Sequence, residues 1–306
     1  MPGKASLSTV ITSFNSGALV LDAIGSVMAQ PIQADLEIIV VDDGSTDAES
    51  REAISYAERL PGVIVVRSPG NEGVQRARNR GLTAAHHNFI LVLDSDDRLG
   101  MPDQSTGSQS YPDRAIAMLL EDEGLALVHT MSRMFGAFEG LTISSYPVKE
   151  ALVLRKHHVP TSIVFRRSDC TNGVSYDPAI LKWQDWSFAV GLLAGRWRRG
   201  GANRIGFVHG PFHRYRVHHD WDRISSHRVD EFAMTLRTVE ANLNYFRAHL
   251  GQGRDASEIA RQVLNEKPDR LADLLYMAAF DLQQALQVAA EREFDIASPY
   301  SHLGIP

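Results

Sequence analysis

The stretch of sequence that decides the fold is residues 89–98, FILVLDSDDR, in which five apolar residues are followed directly by a cluster of carboxylates. An apolar run of this length, bounded by polar residues, is typical of a fully buried strand. In an open α/β sheet, the carboxyl end of such a strand faces the crevice where ligands bind. The sequence therefore predicts that Asp94, Asp96 and Asp97 lie at the mouth of a binding site and not in a core.

Three carboxylates within four positions repel one another, and water or a bound cation must offset that repulsion. Mg²⁺ or Mn²⁺ carrying a phosphate would do so, because these ions take one or two carboxylates and complete their shell with phosphate oxygens. The alternative interpretation is an acidic turn that only keeps a loop in water. The chain upstream of residue 89 favours the metal site.

Upstream, short apolar or β-branched runs alternate with amphipathic stretches. We predict strands at 7–12, 36–41, 63–66 and 89–93, and helices at 18–29, 47–60 and within 71–85. This alternation indicates βαβ units and a mainly parallel sheet. The second strand ends in Asp42 and Asp43, as the fourth ends in Asp94, so both strands should bring carboxylates to the same edge of the sheet.

The pattern loosens after Arg98. Residues 100–111 predict a surface loop, either a lid or a plain connection. Beyond it we predict helices at 114–123 and 180–194 and strands at 125–131 and 161–165, and then amphipathic helices at 229–250, 256–263 and 269–291. Asp185 stands on the apolar 180–194 helix between Trp183 and Trp186. A buried acid there needs a partner or a task, and a surface carboxylate is the equally simple alternative.

Composition limits the class of protein. The chain has 306 residues and a formal net charge of −6, which argues against a sequence-independent nucleic-acid binder. Histidines in the basic, aromatic segment 196–219 suggest metal binding, and RNA stacking is the weaker alternative there. The single cysteine, Cys170, cannot form an internal disulfide, and no apolar run is long enough to span a membrane. We therefore expect a cytoplasmic protein without a transmembrane segment.

Two common nucleotide-binding motifs are missing from the N-terminal half. Neither G-x-G-x-x-G nor G-x-x-x-x-G-K-[ST] follows the first strand. Without such a loop, a diphosphate would need a metal and basic side chains. The DSDD carboxylates and Arg76, Arg78 and Arg80 are candidates for those two roles.

Four motifs in this order resemble those of the family 2 glycosyltransferases, inverting GT-A-fold enzymes that use nucleotide-diphospho-sugars. The resemblance covers about residues 7–225 and is most specific in its first third. The motifs that carry it are TSFN at 12–15, VDDGS at 41–45, NEGVQRARNRG at 71–81 and LDSDD at 93–97. The implied fold is α/β: a GT-A (Rossmann-like), mixed, mainly parallel sheet flanked by helices, with a C-terminal α-helical extension.

The resemblance implies roles for the donor-binding residues. Thr12 and Phe14 would border the base, and Asp43 would accept a hydrogen bond from the uracil imide. Arg78 would reach the sugar or the diphosphate, and Asp94 and Asp96 would form the D-x-D pair. The complete donor-binding set is Thr12, Phe14, Asn15, Asp43, Gly73, Arg78, Asp94, Ser95 and Asp96, and the implied ligands of Mg²⁺ or Mn²⁺ are Asp96, Asp97 and His218.

The family's catalytic base is an Asp in an E-D-W motif, which here stands as Gln184-Asp185-Trp186. Asp185 is therefore the expected base, and Trp183, Gln184 and Trp186 are expected to contact the acceptor. Gln184 departs from the usual Glu, which leaves the base in place but alters the predicted acceptor contacts. His218 belongs to a segment, YRVH, that resembles the family's Y-R-x-H.

The resemblance thus implies an inverting hexosyl- or N-acetylhexosaminyl-type transferase that uses a UDP-sugar donor. The acceptor, a glycan, lipid-linked molecule, peptide or small molecule, cannot be identified from the sequence. A nucleotidyltransferase-type enzyme and a non-catalytic nucleotide-binding assembly module are the alternatives. We predict a donor half at 1–100, an acceptor half at 101–227 and a helical extension at 228–306, through which the chain could form a homo-oligomer.

Overall fold

A computed structural model of the chain describes residues 5–103, 107–170, 173–218 and 229–292. In these ranges a mixed sheet of nine strands has helices on both faces. The strands are β1 (Ser6–Ser13), β2 (Asp35–Asp42), β3 (Val63–Arg67), β4 (Phe89–Asp94), β5 (Arg98–Leu99), β6 (Leu125–Gly136), β7 (Gly140–Leu141), β8 (Val164–Arg166) and β9 (Arg204–Val217). They are ordered β3-β2-β1-β4-β8-β6-β9-β5, and β7 pairs with β6.

The helices of the first part are α1 (Leu19–Met28), α2 (Ala48–Ala57), α3 (Val74–Ala84), α4 (Tyr111–Glu121), α5 (Glu150–Val153) and α6 (Gln184–Arg198). Five more follow β9: α7 (Glu231–Ala241), α8 (Leu243–Leu250), α9 (Ala256–Asn265), α10 (Arg270–Phe280) and α11 (Leu282–Glu291). The GT-A-type architecture with a C-terminal helical extension, which the sequence predicted, is confirmed.

Strands β1 to β4 form the parallel part of the sheet. Thr12 at the end of β1 is in register with Val41 of β2 on one side and with Asp94 of β4 on the other. The carboxyl ends of the central strands therefore meet at one edge of the sheet, as the two acidic strand ends predicted. Because alternate residues of a strand point to opposite faces, Val10 packs in one core while Leu7 and Ile11 pack in the other.

The second half of the sheet departs from the sequence prediction. β9 pairs in parallel with β6 along most of its length, although Gly206, Gly210 and Pro211 interrupt its apolar pattern and had hidden a strand. The pairing shifts register after Thr130, whose hydroxyl donates to the carbonyls of Val208 and Gly210. Side-chain hydrogen bonding thus satisfies backbone groups that the irregular ladder leaves unpaired.

Three helices also have boundaries that differ from the sequence prediction. α6 begins at Gln184 and not at residue 180, because Trp183 adopts the left-handed conformation with φ of 61°. The predicted helices at 229–250 and 269–291 are each divided in two, at Asn242 and at Asp281. In both cases the dividing residue has an extended or irregular backbone and precedes a new helix.

Exposed leucines mark the C-terminal helices. Leu271, Leu275, Leu282 and Leu286 are all more than two-fifths exposed. Self-association through these helices stays a prediction. In the described part of the chain, no helix is long and apolar enough to cross a membrane.

Gly81 tests the packing of α3 on the sheet. A Cβ atom at this position would lie 2.2 Å from Cγ1 of Val10, so Gly81→Ala should lower the free energy of unfolding by about 1–3 kcal/mol. Gly25→Ala is the matched control, because Gly25 is an exposed position inside α1 and no atom lies within 4 Å of its added Cβ. That variant should gain about 0.5–1 kcal/mol. Urea unfolding of both proteins measures the difference, and equal midpoints would contradict this account of the packing.

Candidate active site

A cavity of about 820 Å³ opens at the carboxyl ends of β1 and β4, where the N-terminus of α6 faces the sheet edge. Ten of the residues singled out in the sequence line it: Thr12, Arg78, Asp94, Ser95, Asp96, Trp183, Gln184, Asp185, Trp186 and His218. The other predicted residues, Phe14, Asn15, Asp43, Gly73 and Asp97, are not among those lining it. The cavity therefore unites the D-x-D pair with the predicted base.

Arg78 is the central group of the cavity. Its side chain is 1% exposed, and its guanidinium joins Oδ1 of Asp94, at 2.7 Å, to Oδ1 of Asp185, at 2.8 Å. The ring of Tyr176 lies 5.0 Å from the guanidinium carbon. Burial works to lower the pKa of Arg78, but the two carboxylates more than offset that effect and hold its pKa above the usual range. Arg78 is therefore a fixed cation between one carboxylate at the end of β4 and another at the start of α6.

Helix α3 also anchors the segment that leads into α6. The Gln75 side chain donates to the carbonyl of Ile180 at 2.5 Å, and Asn79 exchanges two hydrogen bonds with the backbone of Tyr176. Together with the Arg78 bridge, these bonds fix residues 176–185 against α3. They set the position of Asp185 at the start of α6.

Asp185 has a second partner in Thr161. The Thr161 hydroxyl lies 3.2 Å from Oδ2 of Asp185 and 3.5 Å from Oδ2 of Asp94. About a fifth of the Asp185 side chain stays exposed. A carboxylate that is oriented by an arginine and a hydroxyl, yet still accessible from the cavity, can accept a proton from a bound hydroxyl group.

The predicted metal ligands fall into two groups. Asp96 and His218 line the cavity, both are more than a third exposed, and Oδ2 of Asp96 lies 2.8 Å from Nε2 of His218. At this distance the two atoms form a hydrogen bond, which a divalent cation bound to both of them would replace. Over the described ranges, no group of three or more His, Cys, Asp or Glu side chains is arranged to hold an ion.

Asp97 has a different environment from the one the sequence suggested. Its side chain is 1% exposed, one oxygen accepts the backbone N–H of Arg216 at 2.7 Å, and the other lies 2.9 Å from Nε2 of His213. The other ring nitrogen of His213 lies 2.8 Å from the Ser132 hydroxyl. Burial raises the pKa of Asp97, and the His213 hydrogen bond opposes that rise. Asp97 therefore ties the LDSDD turn to β9, and its oxygens are already used.

Asp43 and its neighbours form a separate corner beside the cavity. The Asp43 carboxylate accepts the backbone N–H groups of Glu72 and Gly73, the latter at 2.8 Å. Gly73 has φ of 94° and precedes the first residue of α3, a backbone conformation that favours glycine, and its part in donor binding stays a prediction. Asn15 holds the neighbouring loop by accepting the N–H of Thr46, and Phe14 is 41% exposed.

The predicted acceptor residues differ in how they are held. Trp186 is 4% exposed, and its indole N–H donates to the carbonyl of Val153 at 2.7 Å. Trp183 is partly exposed in the cavity. Sequence reasoning assigned no role to Lys156, Thr161 or Lys267, which also line the cavity. No local motif marks these three residues, because only the tertiary fold brings them together.

Comparison with known proteins finds a family match in the N-terminal third of the chain. Residues 8–100 match the family model described as Glycosyl transferase family 2. The succinoglycan biosynthesis protein ExoO of Rhizobium meliloti is 30% identical over 194 residues, which are 60% of this chain and 55% of that protein. The chain thus spans about half the length of this curated relative.

Two solved structures share the fold over nearly the whole chain. S. aureus TarS in complex with UDP-GlcNAc has a TM-score of 0.61 at 16% identity, covering 96% of this chain and 77% of that one. The mannosyltransferase PcManGT from Pyrobaculum calidifontis, in complex with GDP-Man and Mn²⁺, has a TM-score of 0.53 at 16% identity, covering 99% and 84%. At this identity the likeness concerns the fold.

Replacing the bridging arginine tests the electrostatics of the cavity. Arg78→Met leaves Asp94 and Asp185 without their shared cation, and should lower the free energy of unfolding at pH 7 by about 3 kcal/mol.

Urea unfolding at pH 7 measures this loss. Arg80→Met is the control, because Arg80 lies on the same helix but forms an exposed pair with Glu72, and its loss should stay within about 0.5 kcal/mol. Equal losses for the two variants would contradict the central role of Arg78.

Proposed function

We propose, from the match of residues 8–100 to the family model of glycosyl transferase family 2, that the chain transfers a hexosyl or N-acetylhexosaminyl group from a UDP-sugar to an acceptor hydroxyl or amine, with inversion. We assign residues 1–100 to donor binding, 101–227 to acceptor binding and 228–306 to a helical extension. The observation that carries the proposal is the bridge from Asp94 through Arg78 to Asp185 inside one cavity.

The bridge supports a single-displacement reaction with Asp185 as the base. The acceptor oxygen forms a bond to the anomeric carbon on the face opposite the diphosphate, and Oδ2 of Asp185 takes the acceptor proton. The bond from the anomeric carbon to the diphosphate oxygen breaks, and the nucleoside diphosphate leaves with the electron pair. Attack from the opposite face inverts the configuration.

Arg78 and Thr161 orient the base in this reaction. Their contacts at 2.8 Å and 3.2 Å engage one oxygen each of Asp185. The carboxylate is thereby held by partners from α3 and from the strand region before β8, so that its position does not depend on α6 alone. A base that is held in the reactive orientation lowers the activation free energy, because less orientational freedom is lost on reaching the transition state.

Asp96 and His218 would hold a divalent cation beside the leaving diphosphate. When bound, Mg²⁺ or Mn²⁺ supplies Lewis-acid stabilisation of the negative charge on that diphosphate. Histidine is a less suitable ligand for Mg²⁺ than carboxylate oxygen, so the pair favours Mn²⁺. Asp97 is outside this proposal, because its two oxygens hold Arg216 and His213.

Uridine recognition rests on Thr12, Phe14 and Asp43. Asp43 already accepts two backbone N–H groups, but an ionised carboxylate has about four lone-pair sites and retains capacity for the uracil imide. Since TarS and PcManGT were solved with UDP-GlcNAc and with GDP-Man, the nucleotide must be tested directly.

Calorimetric titration of UDP, GDP, CDP and dTDP, each with and without Mn²⁺, tests the donor site. We expect UDP to bind best, and to lose at least about tenfold in affinity when Mn²⁺ is removed. Asp96→Asn and His218→Gln should each remove most of the Mn²⁺ effect. If no nucleotide binds under either condition, the enzyme assignment fails and the assembly-module alternative takes its place.

Hydrolysis of the UDP-sugar, with water as the acceptor, tests the base. Asp185→Asn should lower kcat by about 10²–10⁴-fold, the usual contribution of a general base, while UDP affinity changes little. Asp177→Asn is the control, because Asp177 pairs with Arg237 outside the cavity and its loss should leave hydrolysis unchanged. Unaltered turnover in Asp185→Asn would exclude Asp185 as the base.

A further inference from the structure

Three ammonium groups converge on one indole ring at the start of α6. The Nζ atoms of Lys156, Lys267 and Lys182 lie 3.6, 5.1 and 5.3 Å from the centroid of the Trp183 ring. All four residues line the cavity that contains Asp185. We call this group the lysine–tryptophan site.

The convergence is not the result of a lysine-rich surface. The whole sequence contains five lysines, Lys4, Lys149, Lys156, Lys182 and Lys267. Three of them come from separate parts of the chain, namely the end of α5, the residue before Trp183 and the connection between α9 and α10. The fold therefore concentrates most of the lysine of the protein at one point of one cavity.

Among the residues that the structure describes, one carboxylate pairs with two of these lysines. Glu231 pairs with Lys267 at 2.9 Å and lies 4.0 Å from Lys156. Asp273 also lines the cavity, but it accepts the Tyr146 hydroxyl at 2.5 Å and burial raises its pKa. Asp185 is bridged to Arg78. Lys156 and Lys267 therefore share one partly exposed carboxylate, that of Glu231.

Lys156 is the most buried of the three lysines. Its side chain is 1% exposed and donates to the Thr235 hydroxyl at 2.9 Å. Burial lowers the pKa of Lys156 to about 8, with Glu231 opposing the shift and with Lys267 and Lys182 adding to it. A bound anion would relieve the repulsion between these like charges.

The backbone adds to the positive potential. α6 has fifteen residues, and the side chain of its N-cap, Trp183, makes no capping hydrogen bond. The N-terminus of a helix carries the positive end of its dipole and favours anions. Both Trp183 and Lys156 have left-handed backbone conformations, with φ of 61° and 63°. Residues other than glycine rarely adopt this conformation, and those that do are concentrated at functional sites.

We propose that the lysine–tryptophan site binds an anionic group, a phosphate or a carboxylate, carried by the acceptor. This inference rests on the proposed transferase function and names the acceptor class. Trp183 of this site lies two residues before Asp185 in the chain. The other neighbours of Asp185 are Arg78 and the D-x-D residues of the proposed donor side. An anion held at Trp183 would therefore bring a hydroxyl group of the same molecule to the base.

Binding of small probes to the full-length protein, saturated with UDP and Mn²⁺, tests the site. Glycerol 3-phosphate and glucuronate carry the two candidate anions, and glucose is their neutral counterpart. We expect at least one anionic probe to bind about tenfold or more tightly than glucose, and the stronger of the two identifies phosphate or carboxylate. If both anions bind no better than glucose, the inference is overturned.

Variants that remove a positive charge or a negative charge distinguish anion binding from a purely structural role of the lysines. Lys182→Gln and Lys267→Gln should each weaken binding of the anionic probe about fivefold, whereas Glu231→Gln, which removes the balancing carboxylate, should strengthen it. Lys149→Gln is the matched control, because Lys149 is exposed and lies outside the cavity. If Lys267→Gln and Glu231→Gln both weaken binding, their ion pair is only structural and the site is not an anion receptor.

Two further measurements distinguish failure of the acceptor assignment from failure of the proposed transferase function. UDP should bind to Lys182→Gln and Lys267→Gln with wild-type affinity, and glycerol 3-phosphate should not compete with UDP. Competition would mean that the lysines hold the donor diphosphate, which overturns the acceptor assignment. If the wild-type protein binds the anions but never hydrolyses a UDP-sugar, the transferase proposal fails while the anion site itself stands.

Discussion

One buried cation organises the cavity. Arg78 comes from α3, Asp94 from the end of β4 and Asp185 from the start of α6, so a single guanidinium joins three elements that are distant in sequence. An arginine suits this task because its planar fork can reach two carboxylates at once and stays charged when buried. Removing either carboxylate would leave the cation with less compensation, which couples the position of Asp94 to that of Asp185.

The sequence predicted the parts of the fold that local patterns specify. Strands β1 to β4 are short, apolar and bounded by turn residues, so their positions and shared acidic edge could be inferred. β9 could not, because glycine and proline interrupt it and its stability comes from pairing with β6. The same limit applies to Asp97: the sequence places it among exposed carboxylates, but His213 and Arg216 approach it only through β9.

Trp183 illustrates a different limit of sequence reasoning. The apolar pattern of residues 180–194 continues across Trp183, so periodicity alone predicts one uninterrupted helix. The left-handed backbone at Trp183 instead ends an irregular segment that Gln75 and Asn79 hold against α3. The helix then begins one residue before Asp185, and this late start brings the carboxylate to the cavity. Tertiary hydrogen bonds have overridden the local preference for helix.

Two sets of charged residues line the cavity. Asp96 and His218, beyond the end of β4, form a carboxylate side, and Lys156, Lys182 and Lys267 lie around the Trp183 ring. For the proposed reaction this division orients both substrates. A donor diphosphate with its metal is attracted to the carboxylate side, and an acidic acceptor is attracted to the lysines. Asp185 contacts Arg78 and lies two residues after Trp183, so the proposed base lies where the two substrates would meet.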